Sequence, residues 1–390
     1  MRSPTRTPAG WVLGCYDVAR PSPPTYLEGP QMAAHPHAAM AADPDFRYPT
    51  APRRVYWELT RACALACQHC RAEALHGRLP DELDTEEVFG VLRALAEAKP
   101  KPVVVLTGGD PLERPDFWEI LDYGKAQGLH VDVAPSATPR LTRETIFRLK
   151  ERGVGAMSLS LDGPGPEKHD GLRGIPGCFD TTMVAAANIA DAGIPLQVNT
   201  LVTAHTLPDM KAISEQVAGM HARRWSLFFL VTTGRGKLLP QIEPQQSEEL
   251  LEWLYALQSE VPFIVATTEA PHFRRVEIEH RKRGGEEAPR VKGAGMRDGN
   301  GIMFISYRGD VMPSGFLPLT AGNVRESDPL ALYRDSELFR ELREPAHYGG
   351  RCGVCEYRKI CGGSRGRAYA VFDDPMAEDP LCVYRPADGG

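Results

Sequence analysis

No stretch of this sequence approaches the ~18 consecutive apolar residues that a membrane-crossing helix needs, so no membrane partner is expected. Basic excess is missing too. The formal charge is -6, which gives no reason to expect a nucleic-acid partner. An export signal of ordinary form is also lacking. "WVLGC", ending at Cys15, has the shape of a lipoprotein cleavage site, but its apolar run is only four residues long. A signal segment needs roughly 7–15, and Pro8 and Gly10 stand where the rest should be. The expected compartment is therefore the cytoplasm.

What is present is ordinary for a globular chain: 42% hydrophobic and 25% charged residues. A length of 390 residues suggests two or three domains. Residues 1–50 stand apart. They are rich in Pro, Ala and His ("RPSPPTY", "MAAHPHAAMAA") and read as a disordered or loosely draped extension.

From 53 to 231 short apolar runs alternate with amphipathic stretches. Strands are expected at 53–60, 102–107, 130–136, 156–161, 195–202 and 225–231. Helices are expected over 85–98, 116–128, 142–153, and near 179–192 and 208–220, the first capped by Asp84 or Thr85. Six strand–helix alternations imply parallel strands with right-handed crossovers, hence α/β architecture as a partial or full barrel. Beyond it the pattern predicts a helix at 247–260, a strand at 263–268 and a basic, Gly-rich loop over 272–300. A β-hairpin at 301–315 and a short helix near 329–343 follow.

Nine cysteines in a reducing compartment point to metal or catalysis where they cluster, not to a disulfide framework. Seven cluster; Cys15 and Cys178 stand alone and read as a tail thiol and a small semi-buried residue. The first cluster is "CALACQHC": Cys63, Cys67 and Cys70 on one loop after a strand. A structural zinc site wants four ligands. His69 is a possible fourth, but it adjoins Cys70, and neighbouring side chains rarely converge on one ion. A four-iron cluster held by three thiolates keeps one iron open for a substrate.

Cys63-x3-Cys67-x2-Cys70 after the first strand of an α/β barrel resembles the radical S-adenosylmethionine (SAM) enzymes. "TGGDP" (Thr107–Pro111) ends the second strand and resembles that family's segment for the SAM amino group, which implicates Gly108, Gly109, Asp110 and Pro111. "SAT" ends the third, with Ser136 and Thr138. "SLDG" ends the fourth, with Ser160 and Asp162 resembling ribose and carboxylate contacts. Asn199 in "QVNT" and Val231 come from the fifth and sixth, and His69 fills the slot beside adenine. The resemblance implies a [4Fe-4S] cluster that binds SAM. It implies reductive cleavage to methionine and a 5′-deoxyadenosyl radical, and hydrogen abstraction from the substrate. It also implies an electron donor such as flavodoxin or ferredoxin.

The second cluster is Cys352-x2-Cys355-x5-Cys361-x20-Cys382. By chemistry alone, zinc and iron–sulfur both suit four thiols. With "CGGSRGRAYA" and "EDPLC" it resembles the SPASM or twitch auxiliary-cluster domain of radical SAM maturases, which implies a second, auxiliary [4Fe-4S] cluster. Ser314 stands where a further cysteine would be expected, so only one auxiliary cluster is implied. The resulting expectation is a partial (β/α)6 TIM-like barrel over 51–232, a linker over 233–300, and a small Cys-rich α+β domain over 301–390.

"CRAEA", "GDP" and the four-cysteine tail are similar to the alternative-heme-pathway subgroup, which removes carboxylated side chains from iron-bound tetrapyrroles. A tetrapyrrole-type substrate is therefore expected, with a ribosomally made peptide as the rival. A zinc-binding protein without catalysis is the reading from another class. Arg351, Arg358, Lys359, Arg365 and Arg367 surround the second cluster and read either as a carboxylate clamp or as charge compensation. His35, His37, His205, His272 and His347 could ligate a haem iron, but each reads first as ordinary. Tyr56, Trp57 and Tyr369 read as packing.

Overall fold

The computed structural model describes residues 47–285 and 295–386. Most of the N-terminal extension, with Cys15, His35 and His37, lies outside the described residues, as does 286–294 of the basic span. Tyr48 is buried, and its carbonyl accepts from the Tyr333 hydroxyl at 2.7 Å.

The first half follows the alternation legible in the sequence: β1 Arg54–Glu58, α1 Thr85–Glu97, β2 Val103–Thr107, α2 Phe117–Ala126, β3 His130–Val133, α3 Arg143–Glu151, β4 Met157–Ser160. Then come α4 Pro166–Arg173, α5 Cys178–Asp191, β5 Leu196–Val202, α6 Met210–Gly219 and β6 Arg224–Phe229. The rest is α7 Pro244–Leu257, β7 Ile264–Thr268, α8 Phe273–Arg283, β8 Ile302–Ile305, β9 Asp310–Met312 and β10 Gly322–Asn323. Four short helices close the chain: α9 Pro329–Asp335, α10 Glu337–Leu342, α11 Gly350–Val354 and α12 Arg365–Phe372.

The ten strands among the described residues join one sheet, in the order β10-β9-β8-β1-β2-β3-β4-β5-β6-β7. Strands β1 to β7 run parallel, and β8 pairs parallel with β1. The expected hairpin forms from β8 and β9, and it extends the barrel sheet rather than standing apart from it. The fold is mixed α/β with a central parallel sheet in a partial barrel.

Strand patterning sets which side chains face the lumen. In β5, Leu196, Val198, Thr200 and Val202 are buried, while Gln197, Asn199 and Leu201 between them are only half-buried. In β4, Met157 and Leu159 join the core while Ser158 and Ser160 point the other way. The apolar faces meet the helices; the polar faces look into the open barrel. Helix α1 starts on a capping box: Asp84 accepts from Glu87 N at 2.8 Å, and Glu87 accepts from Asp84 N at 2.8 Å.

Two expectations need correction. The span 272–300 opens with a helix, α8, not a loop. Its basic residues hide an inner face of Phe273, Val276 and Ile278, all buried. The helix near 329–343 is two helices, broken at Ser336, which caps the second through its side chain. Helix α4 had no counterpart in the sequence reading; it is flanked by glycines and buries only His169.

Candidate active site

The loop after β1 carries Cys63, Cys67 and Cys70 and is pinned at both ends. Cys63 N donates to Leu75 O at 2.8 Å, and Leu75 N donates to Arg61 O at 2.9 Å. Its middle rests on α4, with Gln68 N donating to Leu172 O at 2.9 Å. Backbone amides point at two of the sulfurs: Leu65 N lies 3.4 Å from Cys63 Sγ, and Ala74 N 3.3 Å from Cys70 Sγ. Such donors favour the thiolate. Burial acts the other way and pushes the free Cys63 thiol up to about 11, so ionisation there needs a cation.

Gly108 and Gly109 lie against this loop. A Cβ on Gly108, where φ is 146, would sit 2.5 Å from Thr60 O, and one on Gly109 would sit 2.3 Å from Ala62 O. Only glycine lets the end of β2 approach this closely. Asp110 does not reach the lumen. It is buried and accepts from Leu112 N at 3.1 Å and from Thr138 Oγ1 at 3.0 Å. Burial lifts its carboxyl to about 6.

Above the loop opens a cavity of about 1330 Å³, counting the part open to solvent. The three cysteines line it, together with His69, Gly108, Gly109, Ser136, Ser160, Asp162, Asn199 and Val231. Pro111 and Thr138 stand behind its wall with Asp110. The strand ends thus bring together eleven of the expected residues and leave three as support.

The sequence reading missed Arg173, the last residue of α4. Its guanidinium pairs with Asp162 and also approaches Cys67 Sγ at 3.7 Å. Burial alone would raise the Asp162 carboxyl, but Arg173 and the nearby histidines hold it below its usual range. His69 is pushed down to about 4, by burial first and by Arg173 second, and is neutral near pH 7. The buried His69 Nδ1 has no hydrogen-bond partner, nor do Nε and Nη2 of Arg235 on the loop after β6. An unpartnered ring nitrogen of a residue that lines a cavity this large suits a polar ligand that completes it.

A second cavity, of about 450 Å³ counting the part open to solvent, is lined by Cys352, Cys355, Cys361 and Cys382 with His272 and Arg275. Amides again meet sulfur: Asp379 N lies 3.4 Å from Cys352 Sγ, and Gly363 N 3.4 Å from Cys361 Sγ. Burial pushes the free Cys361 and Cys382 thiols to about 12. Among the described residues, no three His, Cys, Asp or Glu side chains converge as they would around a single ion. Four thiols lining one cavity suit either a zinc ion or a four-iron cluster.

Four arginines here have partners within the chain. Arg367 pairs with buried Asp379 at 3.1 Å, and Arg351 pairs with Glu378 at 3.0 Å. Arg365 spans Ala377 O at 2.7 Å and Cys352 Sγ at 3.7 Å. Arg358 donates to Cys355 O at 3.2 Å. Trp57 is core, fully buried.

A partial α/β barrel with a three-cysteine loop at its C-terminal mouth defines an enzyme that works through a thiolate-bound metal centre. Residues 57–215 match the Radical SAM superfamily. An "AdoMet-dependent heme synthase" of Methanosarcina barkeri is 39% identical over 342 residues, 86% of this chain and 97% of that protein. One of Nitratidesulfovibrio vulgaris is 39% identical over 366 residues, 91% and 98% of the two chains. In fold the chain is similar to Streptococcus suis SuiB, with a TM-score of 0.67 at 18% identity, over 86% of this chain and 78% of that one. The chain belongs to the radical SAM superfamily. It is an enzyme, and its barrel binds a four-iron cluster and SAM.

Proposed function

We propose that this enzyme acts on the carboxylated side chains of an iron-bound tetrapyrrole and thereby forms heme. The observation that carries this reading is 39% identity, over nearly their whole length, to two relatives named as AdoMet-dependent heme synthases. SuiB, also solved with a precursor peptide, shares the fold at 19% identity in that complex, which gives the peptide reading less support.

In this proposal Cys63, Cys67 and Cys70 hold the first cluster. Reduced, and with SAM bound, that centre supplies a 5′-deoxyadenosyl radical. The chain's own residues position and shield. Gly108 and Gly109 offer backbone to the amino group, while Ser160, Asn199 and Asp162 offer hydrogen bonds to ribose and carboxylate. Neutral His69 and Val231 flank the adenine. Arg173 keeps Asp162 ionised and adds positive charge beside Cys67. Phe228 and Phe316 line the same cavity with apolar surface.

Cys352, Cys355, Cys361 and Cys382 would saturate an auxiliary four-iron cluster, so its role is electron transfer or support. A flavodoxin or ferredoxin as reductant and a cytoplasmic location complete the reading. The test is anaerobic incubation with SAM, dithionite and an iron tetrapyrrole carrying carboxylated side chains. Mass spectrometry should show loss of carbon dioxide together with 5′-deoxyadenosine. Unchanged tetrapyrrole beside uncoupled nucleoside would overturn the substrate assignment.

A further inference from the structure

The arginines around the second cysteine cavity are engaged internally, so a substrate carboxylate needs another partner. Arg71, the residue after Cys70, lines the larger cavity. Three neighbours fix its guanidinium. One edge pairs with the buried carboxylate of Glu58, at the end of β1. One face stacks on Phe304 of β8, 4.6 Å from the ring centre. Gly315 is the third, leaving the guanidinium room that a Cβ, 3.0 Å from Arg71 Nε and 3.2 Å from the Phe304 ring, would take.

What remains is an open edge. Nη2 gives one of its two N–H groups to Glu58, while among the described residues Nε and Nη1 make no hydrogen bond and are not sealed from solvent, so the second Nη2 N–H and the parallel N–H beside it form a free fork. The side chain is 25% exposed, where Glu58 is 4% exposed. A guanidinium takes a carboxylate on two parallel N–H groups, and one already held in place loses little freedom on binding. The same cavity carries the rings of Phe228, from β6, and Phe316, from the segment after β9, with centroids 6.4 Å apart. Aromatic faces beside a fixed cation match a flat, apolar ring system with acidic substituents.

We propose that Arg71 is the specificity-determining residue of this enzyme: its free edge takes a carboxylate side chain of the substrate while the macrocycle lies against Phe228 and Phe316. The assignment rests on the tetrapyrrole reading above. It places the recognised carboxylate one residue from a cysteine of the first cluster, within the cavity that receives SAM.

The test uses full-length enzyme reconstituted without oxygen, with iron coproporphyrin III and its tetramethyl ester as probes. Binding is read from the shift of the porphyrin absorbance. Wild type should bind the acid more tightly than the ester. Arg71→Met should weaken the acid by roughly 10- to 100-fold and leave the ester unchanged. Iron content and the thermal midpoint report whether the variant has folded. If it has not, Arg71→Lys decides, since it keeps the charge and loses the fork; a smaller, acid-specific loss is expected. A folded variant that binds the acid as wild type does would overturn the role of Arg71 and leave the tetrapyrrole reading standing. Wild type that binds acid and ester equally would also overturn it. Wild type that binds neither probe and converts no tetrapyrrole would overturn both.

Discussion

One nitrogen of Arg173 stands 3.7 Å from the sulfur of Cys67, while another pairs with the carboxylate of Asp162 at the end of β4. A single buried cation thus links the cysteine loop to the opposite side of the cavity. Replacing it by methionine strands the Asp162 charge, which is 1% exposed. Arg173→Met should destabilise the fold by roughly 3–5 kcal/mol and sharply reduce 5′-deoxyadenosine formation. Urea midpoints and a nucleoside assay check the two effects separately.

Gly109→Ala should damage the first site without touching the second. The added Cβ would meet Ala62 O at 2.3 Å and Arg61 O at 2.7 Å, both backbone atoms of the cysteine loop. Moving that loop shifts the thiolates, so nucleoside formation should fall more than tenfold while iron at the second site is retained. Gly90→Ala is the control: it lies in α1 with nothing within 4 Å of its Cβ. It should keep activity and gain up to about 1 kcal/mol of stability.

Acid should destabilise the barrel through His169. Its Nδ1 accepts from Asp162 N at 3.0 Å, which requires the neutral ring. Burial lowers its folded-state value from 6.5 to about 4. Its stabilising contribution is therefore complete above pH 6.5 and is lost as the pH falls to about 4. The full effect is on the order of 3 kcal/mol. Urea midpoints from pH 7 to 4.5 should fall less for His169→Gln than for wild type. Parallel profiles would contradict the assignment.

The two cysteine sets should be separable by iron content. Cys67→Ala should abolish nucleoside formation and lose about half the iron, with the second site still loaded. Cys355→Ala should also lose about half, and should keep the signal of the SAM-binding cluster. Zinc in place of iron at either site would contradict the cluster assignment.

The barrel was legible because each of its parallel strands is a short apolar or alternating run between helices with their own signals. Arg173 was not legible. Helix α4 has no apolar face to announce it, and its last residue becomes functional only through contact with Cys67 and Asp162. Nor was Arg71, since its partners Glu58, Phe304 and Gly315 meet only when β8 pairs with β1. Such long-range strand pairing leaves no local pattern. Helix α8 was hidden by charge: with arginine or lysine at five of its eleven positions, only three buried residues carry the helical signal.

The most direct measurement is on reconstituted wild-type enzyme kept free of oxygen: iron and sulfide per chain, then 5′-deoxyadenosine after adding SAM and dithionite. About eight irons per chain, with the nucleoside formed, is the predicted result. Zinc instead of iron, with SAM left intact, would contradict the account at its centre.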